Sequence, residues 1–153
     1  MAPHGRLLDG HAAPLQRRRR LRARSDRAEV IARLDALCRE LVFRRDRGVC
    51  IFCRAEGLHD PDRARRVQWC HVHTRRILSL RWHLANSFMA CAGHHLRWHQ
   101  RPVEMVDRWR AIVGQATCER LAWLAQSPGK VDMALTEAWL RAELDRPAAN
   151  EDR

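Results

Sequence analysis

At 153 residues, with 46% hydrophobic and 31% charged side chains, the chain suits one compact domain with tails and carries enough apolar material for a core. No run approaches the ~18 consecutive apolar residues that span a bilayer, and Met1–Gln16 lacks the apolar block of a secretory signal, so a soluble, cytoplasmic protein with no membrane partner is expected. The net charge of +11 comes almost wholly from arginine, because Lys130 is the only lysine; arginine forks pair with phosphates, which points to nucleic acid as the partner.

Residues 1–25 combine low hydrophobicity with the block Arg17-Arg18-Arg19-Arg20, then Arg22 and Arg24. They predict a disordered basic arm that grips phosphates non-specifically and leads into a helix. Ser25 or Asp26 caps a helix running to about Arg45, with Val30, Ile31, Leu34, Leu37, Cys38, Leu41 and Val42 at helical spacing. Cys38, inside that stripe, is expected in the core. Gly48 ends the helix. Val49–Cys53 is β-rich with cysteines at its turns and reads as a zinc knuckle. Residues 54–65 read as a polar loop, Val67–Val72 as a short strand, and residues 74–85 as an arginine-rich connection. Asn86–Ala92 leads into a second knuckle, and His94–His99 starts a helix.

After Pro102 the pattern is helical. Val106, Trp109, Ile112 and Val113 form one stripe, ended by Gly114. Leu121 and Leu124 mark a second helix, stopped by Ser127-Pro128-Gly129. Leu135, Trp139 and Leu140 mark a third. Trp109, Trp123 and Trp139 are expected in the core. Residues 146–153 read as a tail. The organisation expected is a single α+β domain over residues 26–145, divided into a helix (26–45), a central metal-bearing segment (46–100) and C-terminal helices (101–145).

Four residues have the spacing of a metal clamp. Cys50-x-x-Cys53 and Cys91-x-x-His94 are separated by 37 residues. Each pair sets two ligands on one tight turn, as a tetrahedral zinc ion requires. Zinc would join the two turns and replace core that so small a domain lacks. Six cysteines unevenly spread among histidines fit metal ligation in a reducing compartment better than disulfides.

A second series lies beside the clamp. Asn86 follows His71 by 15 residues, His95 follows Asn86 by 9, and His99 follows His95 by 4. On a helix His95 and His99 share a face and can bind one ion together, with Cys70 or a nearby group as a third ligand. His73 faces the same way as His71 on a strand. His83 reads as a surface or phosphate-contacting residue, and His4, His11 and His59 as solvated.

This series resembles the HNH nucleases, the ββα-metal superfamily, in their zinc-knuckle form. The family's three-residue signature is read here as His71, Asn86 and His95. Cys91-Ala92-Gly93-His94-His95 has the layout of the family's second Cys-x-x-Cys, with His94 in place of the Cys that precedes the final His. The resemblance covers about Arg44–Gln100. Cys70-His71-Val72-His73-Thr74-Arg75, then Leu80-Arg81-Trp82 and Asn86, looks most like the phage NinG/Rap recombination endonucleases.

The resemblance implies a small ββα-metal core with a structural zinc knuckle, flanked by N- and C-terminal helices. It implies a metal-dependent DNA endonuclease leaving 5′-phosphate and 3′-hydroxyl ends, acting on branched recombination DNA if the phage likeness holds. His71 would be the general base and Asn86 would orient its ring and loop. His95 and His99, with Cys70, would hold a divalent ion, Mg²⁺ or Mn²⁺, with Ni²⁺ or Zn²⁺ as further candidates. Arg75, Arg76 or Arg97 would clamp the phosphate, and Arg81 with Arg17, Arg18, Arg19 and Arg20 would add DNA contacts. The family usually has Asp or His where Cys70 stands. A thiolate suits zinc better than magnesium, so Cys70 is also open to a core or zinc-ligand reading. His73 stays open as the base, although the 15-residue interval favours His71. If His95 took the structural zinc, His94 or His99 would shift role. The competing readings are a non-catalytic zinc-containing nucleic-acid-binding module and a metal-stabilised interaction scaffold. Histidines in surplus over the four clamp ligands favour the nuclease. A homodimer would ease double-strand or symmetric junction cutting.

Overall fold

The computed structural model describes residues 12–58 and 66–147. The expectations for His4, His11 and His59, for the first part of the basic arm and for most of the tail lie outside the described residues. Contacts divide the chain into two units, residues 1–33 and 34–153.

Helix α1 spans Ala12–Arg45. It begins well before Ser25 or Asp26, so residues 12–25 are helical and not the disordered arm expected. Ala, Leu, Gln and Arg are all good helix formers, and that propensity carries the helix through the charge block. Ser25 does not cap; its hydroxyl reaches Glu29 Oε1 at 3.4 Å within the helix. Every described side chain from Gln16 to Glu29 is exposed, including Arg17–Arg20.

In the second unit, Leu34, Cys38 and Val42 recur every four residues and are fully buried, so the apolar stripe and Cys38 lie in the core as expected. The helix ends in a Schellman turn: Gly48 N donates to Phe43 O at 2.8 Å and Arg47 N to Arg44 O at 3.0 Å. Gly48 has φ +66°, which favours glycine, and a Cβ there would meet the tip of the exposed Phe43 ring at 2.7 Å. Asp46, buried in this turn, accepts from Met89 N at 2.8 Å and from Arg45. Arg45 in turn donates to the Leu84 and Ser87 carbonyls, both at 2.8 Å. One ion pair thus ties the helix end to the strand that follows.

Val49–Cys53 is not a β-rich knuckle. Cys50 precedes a short helix, α2 (Ile51–Ala55), which carries Cys53. A helical turn brings residues i and i+3 to one side, so the ligand pair overrides the β-preference of valine and isoleucine.

Strand β1 (Val67–His71) pairs antiparallel with β2 (Ser87–Cys91), with Val67 opposite Cys91 and His71 opposite Ser87. The connection between them holds α3 (Leu78–Arg81) and a 3₁₀ turn (Leu84–Asn86). All five β2 residues are buried. Helix α4 (Ala92–Gln100) follows directly and packs on both strands. Then come α5 (Pro102–Val113), α6 (Gln115–Gln126) and α7 (Met133–Asp145). Their punctuation is chemical: Pro102 opens α5, Gly114 at φ +87° separates α5 from α6, and Asp132 caps α7 by accepting from Ala134 N and Leu135 N. The described residues make an α+β fold, mostly helical, with one small antiparallel sheet. Among them, no helix is long and apolar enough to cross a membrane.

The core joins Phe52, Phe88 and Trp98 with Leu80, Met105, Trp109 and Leu121. Phe52 and Phe88 meet edge to face at 5.5 Å, and Phe88 and Trp98 at 4.9 Å. Trp109 is buried as expected. Trp123 and Trp139 are not: they are 67% and 45% exposed. Leu121 and Leu140 take the inward positions of α6 and α7. Trp123, two residues from Leu121, falls on the far side of its helix.

Candidate functional site

The clamp closes. The ligand atoms of Cys50, Cys53, Cys91 and His94 all lie within 4.8 Å of one another, and all four residues are buried. Cys50 and Cys53 come from the α2 turn, Cys91 from the end of β2 and His94 from the first turn of α4. His94 Nδ1 lies 3.4 Å from each of the three sulfurs, and the Cys53 and Cys91 sulfurs are 3.8 Å apart. Zn–S bonds of about 2.3 Å and a Zn–N bond of about 2.0 Å at tetrahedral angles require edges of about 3.5 Å (S to N) and about 3.8 Å (S to S). The donor set therefore fits a structural metal such as zinc.

Electrostatics agree. Burial, with the neighbouring Cys50 and Cys91 sulfurs, pushes the Cys53 thiol up to about 12. A cation at the centre reverses that penalty. Burial works against the Cys91 thiolate as well, but backbone N–H groups of His94 and Gly93 at the start of α4 draw it below its ordinary value. Glu56 Oε1 stands 3.6 Å from His94 Nε2, beyond hydrogen-bond distance, and pairs with Arg108.

A second feature opens on the other side of the strands. Trp69, His71, Arg75, Arg76, His95 and His99 are among the side chains lining a cleft of about 800 Å³. The His95 and His99 rings are 4.9 Å apart, as their spacing on α4 dictates. His95 Nδ1 pairs with Gln68 Oε1. His71 Nε2 likewise faces the Arg81 carbonyl at 3.2 Å, which places its proton on Nε2 and its lone pair on Nδ1. Burial drives the His71 imidazole down to about 4, with the Arg81 carbonyl opposing and Arg75 reinforcing. Burial also lowers His95, helped by His99 and Arg75. Both rings are thus held neutral, the form that accepts a proton or binds a metal.

Asn86, fully buried, fastens the floor of this cleft. Its Oδ1 accepts from His73 N at 2.8 Å, and its Nδ2 donates to His73 O at 3.2 Å and Leu80 O at 2.9 Å. Its own carbonyl accepts from Val72 N at 2.8 Å. His73 is engaged through its backbone and does not line the cleft. Behind the floor, Asp35 of α1 accepts from Arg81 at 2.8 and 2.6 Å and from Trp82 Nε1 at 2.8 Å.

Other expected site residues take different parts. Cys70 is buried in the core, its Sγ 3.8 Å from the Gln68 carbonyl. Burial, with the nearby Cys50 and Cys91, pushes its thiol up to about 12, and it borders the cleft from within the core. Among the described residues no third His, Cys, Asp or Glu converges with His95 and His99. Arg81 lines the cleft, but Asp35 holds its guanidinium, so it braces the wall. Arg97 is exposed on α4 and does not line the cleft, being two residues and over half a turn from His95. Sequence reasoning missed Gln68, Asp35 and Glu56. Gln68 had one signal: it lies two residues before Cys70 on the same strand face. Asp35 and Glu56 act across long sequence separations and had none.

No protein-family model, no curated protein and no solved structure matches this chain.

Proposed function

We propose that this protein is a metal-dependent DNA endonuclease of the HNH kind, built on a zinc-stapled ββα core. One observation carries the reading: His71 lines the same cleft as the His95–His99 pair and the two exposed arginines Arg75 and Arg76. His71 Nδ1 takes a proton from the attacking water as its oxygen bonds phosphorus. The P–O3′ bond breaks, the departing 3′ oxygen takes a proton from solvent water, and the products are a 5′-phosphate and a 3′-hydroxyl. Arg75 and Arg76 hold the phosphate. A divalent ion held by His95 and His99 would supply charge stabilisation at the phosphate and at the departing 3′ oxygen. Two imidazole donors suit Ni²⁺ or Zn²⁺ by softness; Mg²⁺ or Mn²⁺ held there would complete its shell with waters. The Cys₃His set is closed and serves folding. Arg17–Arg20 add a sequence-independent, salt-sensitive attraction to the DNA backbone.

A zinc-stapled DNA binder without catalysis is the second reading, favoured by the lack, among the described residues, of a third converging protein ligand. Zinc-loaded protein incubated with supercoiled plasmid and Mg²⁺ or Mn²⁺ separates the two. Nicks that a ligase reseals and a chelator prevents are expected. Intact plasmid under every divalent ion would leave the binder.

A further inference from the structure

A second groove, of about 680 Å³, lies between the α3 region and α7. Its lining includes Ser79, Trp82, His83, Lys130, Leu135 and Trp139. Trp139 and Leu135 are 45% and 70% exposed, although their helix places Leu140 in the core. Beneath this apolar lining, Ser79 Oγ and His83 Nδ1 are buried with no hydrogen-bond partner among the described residues. Such atoms cost stability unless a ligand or water meets them. The only lysine of the chain, Lys130, stands at the same groove. Leu78 lines both this groove and the His71 cleft, so the two meet across α3.

We infer that this groove takes an unpaired nucleobase of the DNA strand whose backbone occupies the His71 cleft. The inference rests on the nuclease reading and extends it to substrate class. An indole face and leucine side chains stack a base, donor and acceptor groups meet its edge, and an ammonium meets the neighbouring phosphate. A base still stacked in intact duplex cannot enter, so the groove selects DNA with single-stranded or branched character.

The test uses the zinc-loaded His71→Ala protein, which separates binding from cleavage. Fluorescence anisotropy at low salt compares a single-stranded oligonucleotide, a duplex with a single-stranded flap and a blunt duplex. Adding Trp139→Ala is expected to weaken the first two about tenfold or more and leave the blunt duplex unchanged. Trp139→Phe, which keeps an aromatic face, restores most of the loss. Trp139 is half-exposed, so neither change disturbs the core. Equal losses on all three DNAs, or none on any, overturn the groove inference while the nuclease reading stands. Absence of binding to every DNA overturns that reading and the groove with it.

Discussion

Asn86 and His73 are joined by a two-way amide contact: the side-chain oxygen accepts from the His73 N–H at 2.8 Å while the side-chain nitrogen donates to the His73 carbonyl at 3.2 Å. The same nitrogen reaches the Leu80 carbonyl at 2.9 Å, one residue before the carbonyl that fixes His71. One buried amide therefore holds both ends of the loop that sets the orientation of His71. Asn86→Ala leaves the N–H and carbonyl of His73 unmet in a closed site, while Leu80 O keeps His83 N at 3.1 Å, and should cost ~2–4 kcal/mol. Urea denaturation of zinc-loaded protein measures it. A cost below about 1 kcal/mol would deny Asn86 this role.

The clamp should hold one zinc ion per chain, released only as the fold is lost. Cys53→Ser removes a ligand from a closed set. The variant should bind zinc far more weakly, and its near-ultraviolet circular dichroism should collapse in mild chelator that leaves the wild type intact. Metal analysis beside the spectrum checks this. A metal-free protein with unchanged tertiary signal would contradict it.

His71 links stability to pH. Its imidazole sits at about 4 in the folded protein because of burial, against about 6.5 in the unfolded chain. Between those values the unfolded state binds more protons, so stability falls as pH drops from about 6.5 toward 4 and levels off below. Above about 6.5 the group has no effect. His71→Leu should shrink that acid loss while leaving the zinc ligands' own acid sensitivity in place. Thermal midpoints of both proteins across this window give the comparison, and parallel curves would rule the linkage out.

Arg75 and Arg76 are exposed at the cleft, whereas Arg81 is held by Asp35. Replacing the first two with alanine should weaken duplex binding and reduce the slope of log affinity against log salt by about 2. Arg97→Ala, away from the cleft, should change it by less than half that. A larger effect from Arg97 would place the DNA elsewhere.

Sequence spacing exposed the chemistry better than the backbone. Cys50, Cys53, Cys91 and His94 converge because paired ligands on tight turns leave little freedom, and His95 and His99 meet because helical periodicity requires it. The strand Val67–His71 and the three C-terminal helices were legible from apolar periodicity and from Gly114 and Pro128. Two misreadings came from competing physics. The basic arm is helical from Ala12 because intrinsic propensity overrode charge repulsion. Trp123 and Trp139 face outward because a large apolar residue beside an inward leucine is ambiguous by period alone. Asp35, 46 residues from its partner Arg81, could be found only in three dimensions.

Cleavage by His71→Ala tests the central claim most directly. Wild type and variant, matched for zinc content, are compared under single-turnover conditions on plasmid with saturating Mg²⁺ or Mn²⁺. The variant should bind DNA as the wild type does and cleave about 10²- to 10⁴-fold more slowly, the usual contribution of a positioned base. Equal rates would remove His71 from the chemistry and, with it, the nuclease assignment of this cleft.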